Sequence, residues 1–237
     1  MNWLRRILGR PPVDEGLKAR LRAWRQGPPL SLDTPFDQAS FVLVDVESTG
    51  LDPSRDSLLA IGAVPLADRH ILAGDGFEKI LWGEKSGPRD TILIHGITPT
   101  AVASGEPPQQ VLMDFLEYCG KRPLVAYHAS FDEAMLGRAL GFQLGTALPN
   151  HWLDLAWIGP ALFPELGFRR KPLDVWLDHF NLHAYVRHRA LADCLVTGEL
   201  MLILLHRAKK MGLRTVGDLI SLERMEKQHS HGGHGGI

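Results

Sequence analysis

Apolar residues along the chain follow two spacings, one typical of strands and the other of helices. Apolar runs bounded by turn residues over 41–46, 58–66 and 70–81 predict strands at the antiparallel start of a sheet. A shorter run at 123–127 predicts one more buried strand. Helical spacing of apolar residues is found at 13–26, 107–119, 130–141, 152–162, 172–180 and about 189–209. Strands followed by alternating helices and strands indicate an α/β domain with helices packed on a mixed sheet.

The chain divides into three parts. Residues 1–38 are predicted to form a basic amphipathic helix and a Pro-rich linker, 39–210 the main domain, and 211–237 a C-terminal helix with a Gly/His-rich tail that we expect to be disordered. Four apolar residues share one face of the first helix: Val13, Leu17, Leu21 and Trp24. Such a face is expected to pack on its own domain or on a second copy, with a membrane surface or a partner protein as the alternative.

Composition restricts the class of protein. Hydrophobic residues make up 45% of the chain and charged residues 22%, which is ordinary for a soluble globular protein. No apolar run approaches the ~18 residues of a membrane span, so none is expected. Cys119 and Cys194 lie in apolar surroundings and are too few for a disulfide framework. They are therefore expected to be reduced core residues of a cytoplasmic protein.

The net charge of −1 conceals an uneven distribution. Residues 1–30 hold seven basic and two acidic side chains, which leaves 19 basic and 25 acidic side chains in the remainder. A protein that grips long duplex nucleic acid usually shows a basic face, and the acidic remainder does not provide one. Any nucleic acid bound there should be a short single-stranded end. The basic segment 1–30 is where we expect a protein partner to bind, if there is one.

Two acids, Asp45 and Glu47, follow the first apolar run. Because alternate residues of a strand share a face, both should point the same way as Leu43. Two carboxylates roughly 6–7 Å apart repel each other by about 2–3 kcal/mol at an effective dielectric near 20. In one interpretation the strand ends here, and both acids are solvated or paired with basic side chains. In the other, a divalent cation offsets the repulsion, since hard cations prefer clustered oxygen ligands.

Two further stretches place acids at unusual positions. Asp132 lies where the short strand at 123–127 runs into a helix, and its ordinary role there would be to stabilise the first turn. Asp193 lies between apolar residues of the long helix, where a merely solvated acid is uncommon. His188 precedes it by five residues, and a lone histidine is most often structural. Each feature is weak alone, but together and in this order they form a specific pattern.

That pattern resembles the three motifs of the DnaQ-like DEDDh family of 3′–5′ exonucleases, to which the proofreading epsilon subunit of bacterial DNA polymerase III belongs. The stretches concerned are VDVESTGL (44–51), YHASFD (127–132) and HRALAD (188–193). The connecting segments IGAV (61–64), HGIT (95–98) and LDLA (153–156) are also similar. The resemblance covers about residues 40–207 and is specific, because five functional residues agree in type and order.

The resemblance implies a ribonuclease-H-like α/β fold, with a mixed β-sheet flanked by helices, and an exonuclease domain over 39–210. It implies that Asp45, Glu47, Asp132 and Asp193 hold two divalent cations, Mg²⁺ or Mn²⁺, and are catalytic together with His188. Two such ions steady the attacking and leaving oxygens of an in-line displacement. His188 would be the general base on the attacking water. The implied product is a nucleoside 5′-monophosphate released from a single-stranded DNA or RNA 3′ end.

The resemblance also implies a set of substrate-binding residues around the terminal nucleotide. These are Ser48, Thr49, Gly50, Leu51, His95, His128 and Phe131. The chain departs from the family pattern at Ser48, where Thr is usual, at His128, where Asn is usual, and at Tyr127, where His is common. The preferred sugar or base is therefore left open, whereas metal binding is expected to survive these changes.

The favoured interpretation is a metal-dependent 3′–5′ exonuclease of the DNA repair and proofreading type. The tail holds no clear clamp-binding motif of the form Q-x-x-[ML]-x-[FL], which favours a stand-alone enzyme. Processing of short RNA, as in RNase-T-like and oligoribonuclease-like enzymes, is the alternative among enzymes. A polymerase-associated subunit, tethered through residues 1–30, is a further option. A non-catalytic module that binds nucleic acid or a polymerase partner is the alternative of another class. Four clustered acids would repel phosphate in such a module, which argues against it.

Overall fold

The computed structural model describes residues 9–84, 86–169, 171–183 and 189–232. The strands are β1 (Phe41–Ser48), β2 (Leu58–Ala67), β3 (His70–Ile71), β4 (Phe77–Ile80), β5 (Leu124–Ala126) and β6 (Trp152–Asp154). The helices are α1 (Glu15–Gln26), α2 (Arg89–His95), α3 (Pro99–Ala103), α4 (Pro108–Cys119), α5 (Ser130–Gln143), α6 (Leu155–Leu162), α7 (Leu173–Phe180), α8 (Ala190–Lys210) and α9 (Val216–Gly232).

The strands form a six-stranded mixed sheet in the order β3-β2-β1-β5-β6, with β4 also paired to β2. β1 runs antiparallel to β2 and parallel to β5, and β5 runs parallel to β6. β1 is therefore the central strand, where the antiparallel and parallel halves of the sheet meet. The predicted fold class, a mixed sheet flanked by helices, is confirmed.

The two faces of β1 contact different helical layers, as the alternation of its residues predicts. Val42, Val44 and Val46 lie in a buried cluster with residues of α4 and α5. Phe41 and Leu43 lie in a second buried cluster, with residues of α6, α7 and α8. Both faces of the strand are thus excluded from water along most of its length. A polar side chain at its end therefore lies next to protein groups on both sides of the sheet.

The structure corrects two of the predicted elements. The predicted strand 70–81 is interrupted by a 3₁₀ turn at Ala73–Asp75, within a stretch rich in glycine, and continues as β4. The predicted helix 152–162 begins as strand β6, and α6 starts only after Asp154, whose side chain accepts the Ala156 N–H as an N-cap. Helices α2 and α3 were not predicted, because each is too short for a helical spacing to show.

Helix α1 packs on its own domain. Its N-cap is Asp14, and Leu17, Leu21 and Trp24 lie in the same buried cluster as α4. Arg20 adds ion pairs to the acids of α4. This confirms the interpretation that the apolar face of α1 contacts its own domain, and it leaves that face unavailable to a membrane or a partner.

At the other end of the chain, α9 continues through Gly232. Part of the tail that was expected to be disordered, residues 229–232, is therefore helical, and 233–237 lie outside the described residues. The start of α9 is hydrogen-bonded to the linker, since Val216 N–H donates to the Thr34 carbonyl and Phe36 N–H to the Arg214 carbonyl. In the part of the chain that the structure describes, no helix is long and apolar enough to cross a membrane.

Candidate active site

Asp45 and Glu47 lie at the end of β1, half-buried and on the face of the sheet that α8 covers. Asp45 is opposite Gly62 of β2 in the antiparallel register. A Cβ atom on Gly62 would lie 2.4 Å from the Ala190 carbonyl carbon and 2.5 Å from the Leu191 nitrogen. The first turn of α8 can therefore rest directly on the sheet beside Asp45 only because residue 62 has no side chain.

This close approach brings Asp193 to the two acids of β1. Asp193 lies in the first turn of α8, is only 8% exposed, and donates its backbone N–H to the Arg189 carbonyl. Its negative charge is close enough to Glu47 to affect the pKa of that carboxyl group. Burial, followed by the charges of Asp45, Asp193 and Glu78, raises the pKa of Glu47 to about 8.

Asp132 reaches the same end of β1 from the opposite helical layer. It lies in the first turn of α5, is 5% exposed, and its Oδ1 accepts the Val46 N–H at 3.0 Å. That N–H lies beyond the end of the neighbouring strand β5, so a side chain replaces a strand as its partner. Burial and the nearby charge of Asp45 raise the pKa of Asp132 well above its ordinary range.

Four acids from three elements thus lie around one end of β1, where the charges of Asp45 and Asp193 act on Glu47 and that of Asp45 acts on Asp132. Their role as metal ligands stays a prediction. Their carboxylate oxygens are the donors that hard divalent cations prefer, and a cation would offset the burial and repulsion that now oppose ionisation of Glu47 and Asp132. As placed, however, no three His, Cys, Asp or Glu side chains within the described ranges stand ready to hold a metal ion. His188 lies in 184–188, outside the described residues, and directly precedes the α8 N-cap Arg189.

The loop after β1 is held by its own side chains. Ser48 Oγ donates to the Gly50 carbonyl at 2.6 Å, and Thr49 Oγ1 donates to Asp56 Oδ1 at 2.9 Å. A Cβ atom on Gly50 would lie 2.6 Å from Asp56 Oδ2, so a larger residue there would have to displace the Asp56 carboxylate. Leu51, at the tip, is 89% exposed. The two hydroxyls of this loop therefore shape its backbone, while the apolar Leu51 side chain is presented to solvent.

His95 is the last residue of α2. The other end of α2 follows Gly87, which lies so close to the loop after β1 that a Cβ there would be 3.0 Å from Thr49 Cα. His95 is 5% exposed, and its Nδ1 accepts the Ile97 N–H at 3.0 Å, which places the proton on Nε2. Among the described residues, Nε2 has no hydrogen-bond partner. Burial lowers the pKa of His95, so the ring is a neutral donor near pH 7.

The second motif turns sharply at His128. This exposed residue has a φ of 64°, in the left-handed region that non-glycine residues seldom adopt, although Asn, Asp and His do so more often than others. Its N–H donates to Asp154 Oδ1 at 2.9 Å. Phe131 is half-buried and packs against the hydrophobic cluster of α4 and α5, which is a core role. The structure thus brings His128 to the loop surface and turns Phe131 inward.

Three residues at the site were not identified from the sequence as functional. Gly62 could have been noticed, because glycine inside a strand often marks the close approach of another backbone. Asp154 could also have been noticed, because it is an acid in the apolar LDLA segment and is 2% exposed. Glu78 lies opposite Gly62 on β4 and contributes to the pKa of Glu47. Nothing in the local sequence singles out Glu78.

Comparison with known proteins matches residues 42–201 to the family model described as Exonuclease (RNase_T). The PolC-type DNA polymerase III of Thermotoga petrophila is 29% identical over 194 residues, 82% of this chain but 14% of that protein. The DNA polymerase III subunit epsilon of Treponema pallidum is 28% identical over 177 residues, 74% of this chain and 81% of that protein. The chain therefore spans only a small part of the PolC-type relatives.

Solved structures share the fold at lower identity. Exonuclease I of E. coli in complex with a dT13 oligonucleotide has a TM-score of 0.60 and 17% identity, covering 73% of this chain and 42% of that one. Exonuclease X in complex with 5′ overhanging duplex DNA has a TM-score of 0.61 and 21% identity, covering 77% of this chain and 99% of that one. These similarities show a ribonuclease-H-like exonuclease fold, as predicted.

Proposed function

Because the chain belongs to the Exonuclease family, whose model it matches over residues 42–201, we propose that it is a metal-dependent 3′–5′ exonuclease acting on single-stranded ends. The observation that carries the proposal is the convergence of Asp45, Glu47, Asp132 and Asp193 from β1, α5 and α8 at one end of the central strand. Family membership makes the chain a nuclease. The polarity, the metal and the substrate are the proposed part.

The four acids would together hold two divalent cations, Mg²⁺ or Mn²⁺. When bound, the cations supply charge that offsets the negative charge developing on the attacking and leaving oxygens. The protein's own contribution is to hold the carboxylates in position: the Val46 N–H fixes Asp132, and Gly62 lets α8 carry Asp193 to β1. The raised pKa values of Glu47 and Asp132 support this assignment. Burial and neighbouring acids oppose ionisation of these carboxyl groups, and a bound cation would offset both effects.

The remaining roles belong to residues around the acids. His188 would accept the proton of the attacking water, and a neutral imidazole suits that task near pH 7. His95 Nε2–H, a buried donor without a partner in the described residues, would donate to the terminal nucleotide. Leu51 would contact its base from the tip of the loop after β1, since its side chain is 89% exposed. The product would be a nucleoside 5′-monophosphate.

The substrate that we favour is a single-stranded DNA 3′ end, in a repair or proofreading setting. The names of the sequence relatives place them in DNA polymerase III, and Exonuclease I was solved with a DNA oligonucleotide. The acidic charge of residues 31–237 agrees with a short single-stranded substrate. Cys119 and Cys194 are free and buried, in agreement with the cytoplasmic location that stays a prediction.

The test is degradation of matched 5′-labelled single-stranded DNA and RNA oligonucleotides with Mg²⁺ or Mn²⁺. We expect a ladder that shortens from the 3′ end, disappears with EDTA, and is faster on DNA. Asp45→Asn should abolish it while the protein stays folded. Glu199→Gln is the matched control, since Glu199 is an exposed acid on α8 about 1.7 turns beyond Asp193. This variant should degrade both substrates like the wild type.

Other outcomes separate the alternatives. A ladder that is faster on RNA would move the chain to the RNase-T-like or oligoribonuclease-like class. Shortening from the 5′ end, or a rate that Asp45→Asn leaves unchanged, would contradict the proposed site. Intact label on both polymers, with folded protein and metal present, would favour the non-catalytic binding module, and a pull-down with and without residues 1–30 would then be the next experiment.

A further inference from the structure

Helix α9 lies beyond the matched residues 42–201, yet it directs two buried acids at loops of the candidate active site. Glu223 and Glu226 are each 7% exposed. Glu223 Oε2 accepts the Asp154 N–H at 3.1 Å, and its Oε1 accepts from Lys227 Nζ at 2.5 Å. An apolar side chain would fill the same space without the cost of burying a carboxylate. The acid at 223 is therefore explained by its polar contacts, the ion pair with Lys227 on its own helix and the hydrogen bond from Asp154, and only the second reaches another element.

Asp154 connects Glu223 to the second motif, YHASFD (127–132), through its side chain. Its Oδ1 accepts two backbone N–H groups, that of Ala156 at 3.0 Å and that of His128 at 2.9 Å. The first bond caps α6. The second holds His128 in a left-handed conformation, which most non-glycine residues avoid and which neighbouring contacts must stabilise. His128 begins the turn that leads into α5, so its backbone sets the path of the chain towards Asp132.

A second connection runs from α9 to the same turn. Arg169 donates to Glu226 Oε1 from Nε at 2.7 Å, which ties the loop after α6 to α9. In that loop the Lys171 carbonyl accepts the Tyr127 hydroxyl at 2.5 Å. His128 is therefore held by a hydrogen bond to Asp154, which Glu223 of α9 contacts, and Tyr127 by one to Lys171, in the loop that Arg169 ties to α9.

We propose that α9 is a positioning element of the active site, in which Glu223, acting through Asp154, holds the His128 turn in the shape that receives the 3′-terminal nucleotide. This inference rests on the proposed exonuclease function. Glu223 does not touch the substrate in this arrangement. Its removal should therefore weaken binding of the terminal nucleotide more than it slows the chemical step.

The experiment compares Glu223→Leu, which fills the space without an acceptor, with Glu223→Gln, which keeps an oxygen for the Asp154 N–H. In steady-state kinetics on the single-stranded substrate, Glu223→Leu should raise KM about tenfold with kcat within about threefold of wild type. Glu223→Gln should restore KM to within about twofold. Arg224→Ala is the matched control, because Arg224 is the exposed neighbour on the same helix.

A second readout does not depend on activity. Amide hydrogen exchange of 126–131 should be about tenfold faster in Glu223→Leu than in wild type or Glu223→Gln, while exchange in β1 and β2 stays unchanged. If Glu223→Leu does not fold, Glu223→Met, which is unbranched and of similar length, supplies the same comparison. Unchanged KM and exchange in the folded Leu or Met variant would overturn the inference.

Loss of exchange protection across the whole sheet would also overturn it, because it would show a role in general stability only. The inference and the proposed function can fail separately. A wild-type protein that degrades neither polymer would contradict the function, whereas the exchange of 126–131 would still report whether Glu223 holds the His128 turn.

Discussion

Glu47 and Asp132 are acids whose surroundings oppose ionisation, Glu47 through burial and three neighbouring acids and Asp132 through burial and Asp45. A carboxyl group with a raised pKa keeps its proton in the folded protein at a pH where the unfolded chain has released it. The folded state is then favoured at low pH, and its stability falls as pH rises from the unfolded pKa, near 4, towards the folded value of about 8 for Glu47.

Glu47→Gln tests this linkage. In EDTA, the free energy of unfolding of the wild type should decrease between about pH 5 and pH 8. The free energy of unfolding of the variant should decrease less over the same range. Allowing for the partial exposure of Glu47, we expect the variant to be about 1–3 kcal/mol more stable than wild type at pH 8, with the difference narrowing towards pH 5. Denaturant unfolding across this range provides the measurement, and equal pH slopes for the two proteins would contradict the raised pKa.

His188→Ala tests the proposed proton acceptor. Because a general base contributes about 10²–10⁴ in rate, kcat should fall by that factor. Mn²⁺ affinity, measured by calorimetry, should be nearly unchanged, since the four acids remain. If Mn²⁺ binding is lost with activity, His188 is a ligand and not a base.

Helices bring the acids together because the strands leave room for them. Gly62 opposite Asp45 lets the first turn of α8 lie against β2, and Gly198 of α8 itself lies close to β3, where a Cβ would be 2.9 Å from Ile71 Cδ1. The position of Asp193 therefore depends on a residue of another element. A side chain at 62 would move α8 away from the sheet, and Asp193 with it.

Gly62→Ala should therefore impair both stability and activity. Since its Cβ would lie 2.4 Å from the backbone of Ala190, the substitution should cost about 2–3 kcal/mol and lower kcat at least about tenfold. Gly137→Ala in α5 is the control, because its Cβ would meet nothing within 4 Å. That control should be neutral or stabilising by about 0.5–1 kcal/mol. Similar behaviour of the two variants in urea unfolding would contradict the packing argument.

The flanking segments belong to the same packed body as the sheet. Trp24 of α1 lies in the cluster of α4, and Val216 of α9 lies in the cluster of α8. The linker and the start of α9 are hydrogen-bonded to each other through Thr34 and Phe36. The boundaries at 38/39 and 210/211 stay predictions, but both flanks contribute buried surface, so neither is expected to be dispensable for stability.

Trp24→Ala measures the contribution of α1. Trp24 is 8% exposed and its ring faces Lys121 Nζ, 3.0 Å from the ring centroid. We expect a loss of about 3 kcal/mol in the free energy of unfolding. Arg25→Ala, at the exposed neighbouring position, should change it by less than about 0.5 kcal/mol. An unaltered Trp24→Ala midpoint would show that α1 docks too weakly to count as part of the domain.

Much of the fold could be predicted because apolar spacing depends on local geometry. The alternation along 41–47 correctly separates the two faces of β1. Errors arose where tertiary contacts override local preference: β6 is a short strand because β5 offers it a parallel edge, and Asp154 then starts α6. Helices α2 and α3 have 7 and 5 residues, too few for a periodic apolar pattern, and Val102 of α3 is placed by its packing against Leu59 and Ala60 of β2.

The identity of the acids was visible in the sequence, since buried strands and apolar helix turns rarely contain carboxylates without a reason, and their order and spacing match one family. Their arrangement was not visible, because it depends on backbone contacts between distant segments. Gly62 against Ala190, Val46 N–H on Asp132, and Asp154 on His128 are all such contacts. The residue types on which the proposed chemistry rests are thus visible in the sequence, whereas their arrangement around the end of β1 arises only when the sheet and helices pack.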